Sequence, residues 1–453
     1  MSQIIKTATV MTKFPSTLGG PIAIGADVQT MKDALRSLTR NFDTRSKGRG
    51  LRLLACVALA ALPLSGAAQT TTIQFTNIWN IAAGTRTYVS ASAGNERGIT
   101  INPVTTNVIL ASRASSPPLV AVLDGNTGVQ ITNLDVTLVS GGTFAINKIL
   151  AAQDGVIYAA NLRAANGAGF LKLYRWWGET NTGVAPDNIF NADLGDGAVN
   201  RWGDSMAIRG AGTNTQIMVS GSSNPKGVLF TTTDGTNFTP TVLTLPSSGA
   251  WQKGLSFGAG NSIYAKLSAD ATVKLYNFNP VAGTASLAST YSGYDSTMVA
   301  LRVDLTRNIL AGPLTANLAP AANHLFRVYD VSSPGSPSLL SSTNFPSPNA
   351  ADANLAGEAD IQGDKIVGIS AQNGVVAFRI YYVTNALPPA FTSQRMILGP
   401  AQKTCRLKAI RTLTPCSSGL SIQRPTWVSG AMDSLSKAKP FGSFCGATGS
   451  MPR

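Results

Sequence analysis

Residues 98–124 read GITINPVTTNVILASRASSPPLVAVLD. A short apolar run, 98–102, meets a turn of Asn, Pro and Thr. A second run, 107–113, follows, then a Ser/Pro loop and a third run, 119–124. The runs are rich in β-branched residues and are bounded by turn formers, so they predict three strands rather than a helix.

The same pattern recurs along the chain. First strands are expected at 98–102, 147–152, 204–209, 253–257, 298–304 and 357–362. Second strands are expected at 107–113, 155–161, 215–221, 262–268, 308–314 and 364–370, and third strands at 119–124, 171–176, 228–234, 273–278, 324–331 and 375–381. A fourth strand is legible at 129–136, 239–245, 285–291 and 338–343. Second-strand starts lie 48, 60, 47, 46 and 56 residues apart. A period of this size suits the four-stranded blade of a β-propeller, whose radial sheets leave only short edges. The last repeat has no good fourth strand after Tyr382, whereas residues 73–81 are strand-like and belong to no repeat. The fold expected is therefore all-β: a six-bladed β-propeller closed by an N-terminal strand. Seven blades are the alternative if 70–96 forms a degenerate blade.

Composition agrees. Of 453 residues only 13% are charged, and Glu96, Glu179 and Glu358 are the only glutamates, which disfavours long helices. Gly and Pro number 44 and 24, and hydrophobic residues make up 44%, enough for a core. The net charge of +14 sits at the ends. Residues 1–68 hold nine Lys/Arg and three Asp, and 391–453 hold nine and one, while 69–390 balances 18 against 18. A nucleic-acid-binding fold would carry its basic patch on the folded domain, so no nucleic-acid partner is expected.

The chain divides accordingly into 1–68, an upstream extension and signal peptide; 69–390, the propeller; and 391–453, a basic, disordered tail. Within 45–69, RSKGRGLRLLACVALAALPLSGAAQ, a basic start precedes twelve apolar residues and then small ones. That order is a secretory signal with cleavage after Ala67 or Ala68, and Met31 is the preferred start. The apolar run is too short to span a membrane. Localisation is expected to be exported: periplasmic, cell-surface or extracellular. Cys56, Cys405, Cys416 and Cys445 all lie outside 69–390 and match no zinc spacing.

The stretch from Thr85 to Asn161, with TRTYVSASAGNERGITINPVTTNVILASR, VAVLDGNTGV and DGVIYAANL, resembles an uncharacterised β-propeller-like domain of exported bacterial proteins. The resemblance continues through LYRW and RWGDSMAIRGAGTNTQ and covers about 85–382. It implies an exported propeller, in some members beside carbohydrate-linked or cell-surface modules, and assigns no catalytic residue.

Motifs for chemistry are sparse. Gly203-Asp204-Ser205 resembles a hydrolase nucleophile motif, but a serine mechanism would rest on His324, the sole histidine, at the start of an apolar strand. Residues 231–238, TTTDGTNF, and 124–128, DGNTG, read as hairpin turns. Gly210-Ala211-Gly212 lacks the third glycine and the helix of a dinucleotide loop. Calcium could draw on Asp187, Asp193 and Asp196, or on Asp352, Glu358 and Asp360, but neither loop has EF-hand spacing, and no cofactor is expected. Tyr174-Arg175-Trp176-Trp177 reads as core between blades before it reads as a sugar platform.

The ligand-binding residues expected are those leading into the first strands, at the channel mouth: Glu96, Arg97, Arg201, Trp202, Asp204, Trp251, Lys253, Asp295 and Glu358. Their mixed charge and two Trp suit a sugar-like ligand. Replacing Arg97, Arg201 or Glu358 by Ala is expected to abolish binding and spare the fold. Mutual salt bridges between blades are the competing role. The function expected is a monomeric, non-enzymatic binding or scaffold module for a small polar ligand, a glycan or a surface protein. The alternative is a glycan-acting hydrolase or lyase, which would need two carboxylates facing one pocket.

Overall fold

A computed structural model describes residues 71–384, apart from 181, 198, 268–269, 316–323, 334–336 and 348–355. The expected signal segment, the tail, the four cysteines and Asp352 lie outside the described residues.

The described chain is all-β. It begins with β1 (Thr71–Ile81) and then repeats a four-stranded antiparallel meander. The first meander is β2 (Glu96–Ile101), β3 (Val108–Ser112), β4 (Leu119–Leu123) and β5 (Gln130–Asn133). The second is β6 (Phe144–Ala151), β7 (Ile157–Leu162), β8 (Leu171–Trp176) and β9 (Asp187–Ala192). The third is β10 (Ser205–Arg209), β11 (Gln216–Ser220), β12 (Lys226–Thr231) and β13 (Thr239–Thr244). The fourth is β14 (Gly254–Phe257), β15 (Ser262–Lys266), β16 (Val273–Asn279) and β17 (Thr284–Tyr291). A single parallel pair, Thr244 with Thr284, joins the outer strands β13 and β17 of these two. The fifth is β18 (Arg302–Asp304), β19 (Ile309–Pro313), β20 (Leu325–Asp330) and β21 (Ser338–Asn344). The last sheet holds β22 (Gly357–Gln362), β23 (Lys365–Ser370), β24 (Gly374–Thr384) and, outermost, β1.

β1 runs antiparallel to β24 from Thr71 opposite Thr384 to Ile81 opposite Val375, with a bulge between Asn77 and Trp79. First strands touch in cyclic order: β2 with β6, β6 with β10, β10 with β14, β14 with β18, β18 with β22, and β22 with β2. The arrangement is propeller-like.

The core explains this order. A meander of β-branched and aromatic residues buried on both faces must pack against a sheet on each side. Six apolar clusters do this, five between sequence-adjacent sheets and one between the last sheet and the first. One of them packs Val367, Ile369 and Val375 of the last sheet, with Trp79 and Ile81 of β1, against Ile99, Leu110 and Ala121 of the first. Each fully buried aliphatic or aromatic side chain contributes roughly 1.5–3 kcal/mol, so these layers, not the polar rims, hold the sheets together.

Candidate functional site

The segments that lead into or begin the first strands converge on one cavity of about 160 Å³. All six meanders contribute. Arg97 comes from β2, Asn147 and Lys148 from β6, and Val299 precedes β18. Arg201 and Asp204 precede β10, Gln252 and Lys253 precede β14, and Ala356 and Gly357 open β22. Arg97 sits at a bulge, where the pairing of β2 with β3 shifts between Glu96 and Gly98. A bulge leaves one residue out of the ladder and re-aims it, here toward the cavity. A second bulge between Phe144 and Lys148 places β6 in the same way.

Of the residues expected at the channel mouth, Arg97, Arg201, Asp204 and Lys253 line this cavity together. Glu358 lies just behind it, buried, with Lys148 Nζ 2.8 Å from its Oε2. Glu96 is also buried and accepts hydrogen bonds from the backbone N–H groups of Ser90 and Gln372. Burial raises its carboxyl above the usual range, partly offset by those donors and by the charge of Arg97. Asp295 is elsewhere: it accepts from Thr297 and lies 3.4 Å from Arg327 of β20.

The two tryptophans expected at the channel mouth lie in the core instead. Trp202 and Trp251 are 1% and 0% exposed, each in an apolar cluster between sheets. Trp202 donates from Nε1 to Asp196, and Trp251 packs edge-on against Tyr276 at 5.7 Å. Their large rings are worth more in the inter-sheet layers than at a wet mouth.

The competing role, ion pairing between meanders, is also present. Lys148–Glu358 joins the second meander to the last sheet. Asp360 of β22 accepts from Thr100 Oγ1 and Ile101 N of β2 at 2.7 and 2.9 Å and lies 3.0 Å from Arg302 of β18. Thr100 Oγ1 in turn accepts from Ala151 N of β6 at 3.1 Å. One buried carboxylate thus ties four neighbouring first strands.

At the cavity wall, Asp204 takes two hydrogen bonds from Arg201, at 2.7 and 2.8 Å, and one from Ser222 N at 2.7 Å. Burial disfavours its charged form, but Arg201 and Ser222 outweigh that and hold its carboxyl below the usual range. Arg113, just after β3, stacks its guanidinium 3.5 Å above the Phe144 ring. Its hydrogen bonds are long, 3.5 Å to Asn147 Oδ1 and 3.4 Å to Gly94 O, and its Nε is buried without a partner among the described residues. Burial first, then repulsion from Arg97 and Arg201, pulls the Arg113 guanidinium below its usual value.

Sequence reasoning missed Arg113, Asn147 and Lys148. Lys148 had a signal: it is a lone charge inside the apolar run FAINKILA. Arg113 had none, because a basic residue after a strand is ordinary.

The remaining motifs are structural. Ser205 is buried and donates its hydroxyl to Trp251 O, and His324 is fully buried in another meander. Asp234 and Asp124 cap the third-to-fourth strand turns of their meanders, each accepting from the backbone N–H groups two and three residues on. Gly212 opens a single 3-10 turn rather than an α-helix. Tyr174 and Trp176 are core, while Trp177 is 51% exposed beneath the Arg175 guanidinium. Asp187 pairs with Arg175 and Asp196 with Arg163, and Asp193 caps its own loop through the Asp196 N–H. Among the described residues no three His, Cys, Asp or Glu side chains gather as metal ligands, and no helix is long and apolar enough to cross a membrane.

No family model matches the chain, and no curated protein matches it. Among solved structures it is similar to a DUF4623 family protein from Bacteroides eggerthii, at 17% identity, over 68% of this chain and 75% of that one, with a TM-score of 0.50. Fainter likenesses are to virginiamycin B lyase from Staphylococcus aureus (11% identity, 68% and 99% covered, TM-score 0.40) and to a luciferin-regenerating enzyme (11%, 66% and 95%, TM-score 0.39). What the chain shares with the DUF4623 family protein is a fold, and no chemistry travels with it.

Proposed function

We propose that this chain is an exported, non-enzymatic binding or scaffold module built on a six-bladed β-propeller that β1 closes. It acts in the periplasm, at the cell surface or outside the cell, and takes a small polar ligand, a glycan or a surface protein at the mouth of its channel. Cyclic contact of the first strands and the pairing of β1 with β24 support the blade count and the closure. One observation carries the functional reading: segments of all six sheets, far apart in sequence, meet at a single concave site, and four of them bring polar side chains to it, the usual setting of a ligand pocket.

Binding is favoured over two-carboxylate hydrolysis because, among the described residues, Asp204 is the one carboxylate lining the cavity, and Arg201 and Ser222 already engage it. Glycoside hydrolysis would require a second carboxyl group about 5–10 Å away across the same cavity.

The test is a glycan array and small-ligand screen with the full chain, followed by Arg97→Ala. Loss of binding with an unchanged melting transition is the expected result; turnover of any hit, or retained binding, would sink the reading. Glu358→Ala is unsuitable, because it would strand the buried Lys148. Export is checked by N-terminal sequencing of secreted material, which should begin at Ala68 or Gln69.

A further inference from the structure

Asparagine followed by glycine occurs twice in the sequence, at Asn166-Gly167 and at Asn373-Gly374. Such a pair carries chemistry of its own. Glycine has no Cβ, so little keeps its amide nitrogen from the side-chain carbonyl carbon of the asparagine before it. The fold treats the two pairs in opposite ways.

Asn373 is fully buried, and its Nδ2 donates to Ser370 Oγ at 3.1 Å and to Ala371 O at 2.9 Å. Its backbone N–H donates to Ser370 O, and its carbonyl accepts from Ser347 N. Its carboxamide cannot turn or leave without breaking buried hydrogen bonds. Asn166 lies in the loop between β7 and β8 and is exposed. No hydrogen bond holds its side chain among the described residues. Its φ is +54°, and it is the third residue of a turn closed by Gly167 N to Ala164 O at 3.0 Å. That is the position of a type II turn where Gly or Asn is needed. The Gly167 nitrogen is thus held by one turn hydrogen bond in an exposed loop, and such bonds open far more often than those of the core.

We propose that Asn166 is a site of spontaneous covalent modification, at which the folded protein loses ammonia and gains a carboxylate. The Gly167 nitrogen attacks Asn166 Cγ. The new N–Cγ bond forms as the Cγ–Nδ2 bond breaks, and the Gly167 amide proton departs with Nδ2 as ammonia. Water then opens the cyclic imide at either carbonyl, giving aspartate, or isoaspartate with an extra carbon in the main chain. One water enters, one ammonia leaves, and nothing is oxidised or reduced. The change arises close to the candidate site, because Leu162 at the end of β7 lines the cavity and Ala164 N donates to Thr143 Oγ1, just before β6. It proceeds whatever the cavity binds.

The experiment is incubation of the full chain in mildly alkaline buffer, folded and in denaturant, with peptide mapping by mass spectrometry that separates aspartate from isoaspartate. In denaturant the two pairs should react at similar rates. In the folded chain Asn166 should react at least about tenfold faster than Asn373, with isoaspartate among the products at position 166. Asn166→Gln puts the carbonyl carbon one bond too far for the same ring, so it should lose ammonia at least about tenfold more slowly; a melting transition checks that this variant is folded. No reaction at Asn166 in the folded chain would overturn the proposal, because the turn would then be protective. Equal rates at Asn166 and Asn373 in the folded chain would overturn it as well, because the fold would then select neither. Undiminished ammonia loss from Asn166→Gln would replace attack by Gly167 with direct hydrolysis and sink the proposed route.

Discussion

The inner and outer strands of the meanders have opposite characters. The first strands β2, β14 and β22 are buried along most of their length, yet they and the neighbouring β6 and β18 carry Arg97, Lys148, Arg302, Glu358 and Asp360. The outer strands β5, β9 and β21 are largely exposed and carry mostly Ser, Thr, Asn and Gln. At the rim a polar group meets water and is cheap to place. Around the channel it must find a partner on a different meander, because burying it alone would cost several kcal/mol. Polarity at the centre therefore binds the sheets into a defined order, while polarity at the rim only keeps the edges soluble and discourages pairing with other chains.

The sharpest break of this contrast is Asp360→Ala. It would leave Arg302 buried and strip acceptors from Thr100 and Ile101. A loss of about 3–5 kcal/mol is expected in chemical denaturation; a loss under about 1 kcal/mol would show that the inner polar ties are incidental. Gly98→Ala comes next. A Cβ at Gly98 would stand 2.7 Å from Ile149 N of β6, and backbone cannot swing aside as a side chain can. About 1–3 kcal/mol should be lost, whereas a neutral result would mean that the first strands are less tightly apposed than described.

Glu96 sharpens the comparison through pH. Its folded carboxyl is raised by burial, so the folded state holds the proton more tightly than the unfolded one. Its contribution is fully present below the ordinary Glu range, about 4.3, and is lost as pH rises through the raised value. Glu96→Gln should flatten that fall in a series of melts between about pH 4 and 7; an unchanged slope would assign it to other groups. The smallest effect is expected at the rim. Asp234 is held below the ordinary Asp range by the N–H and side-chain donors of Asn237 and by Thr236. Its contribution is present at neutral pH and is lost as the solution is acidified below about pH 4. Asp234→Ala should shift the neutral-pH melt less than either inner replacement; a larger shift would reverse the contrast.

Much of the architecture was legible because strand signals are local. The fourth strands expected at 239–245 and 285–291 are observed as Thr239–Thr244 and Thr284–Tyr291. The strand expected at 73–81 is observed as Thr71–Ile81. β9 went unseen because DNIFNA is polar, half exposed and set in a long Gly/Pro-containing loop. The fifth first strand was expected over 298–304 and is paired regularly only over Arg302–Asp304, with Met298 forming an isolated bridge to Leu314. β24 outruns its expected end at 381 and reaches Thr384, because β1 supplies a partner along its whole length.

By itself the sequence determined the class of the fold and where many of its strands lie, since strand propensity and turn chemistry are properties of neighbouring residues. Only the tertiary structure decided what those charges do. It turned Trp202 and Trp251 inward, paired Lys148 with Glu358 across 210 residues, and brought Arg113 beside Arg97, Arg201 and Lys253. Burial and charge balance are set by residues far apart in the chain, and no local pattern records which of them will meet.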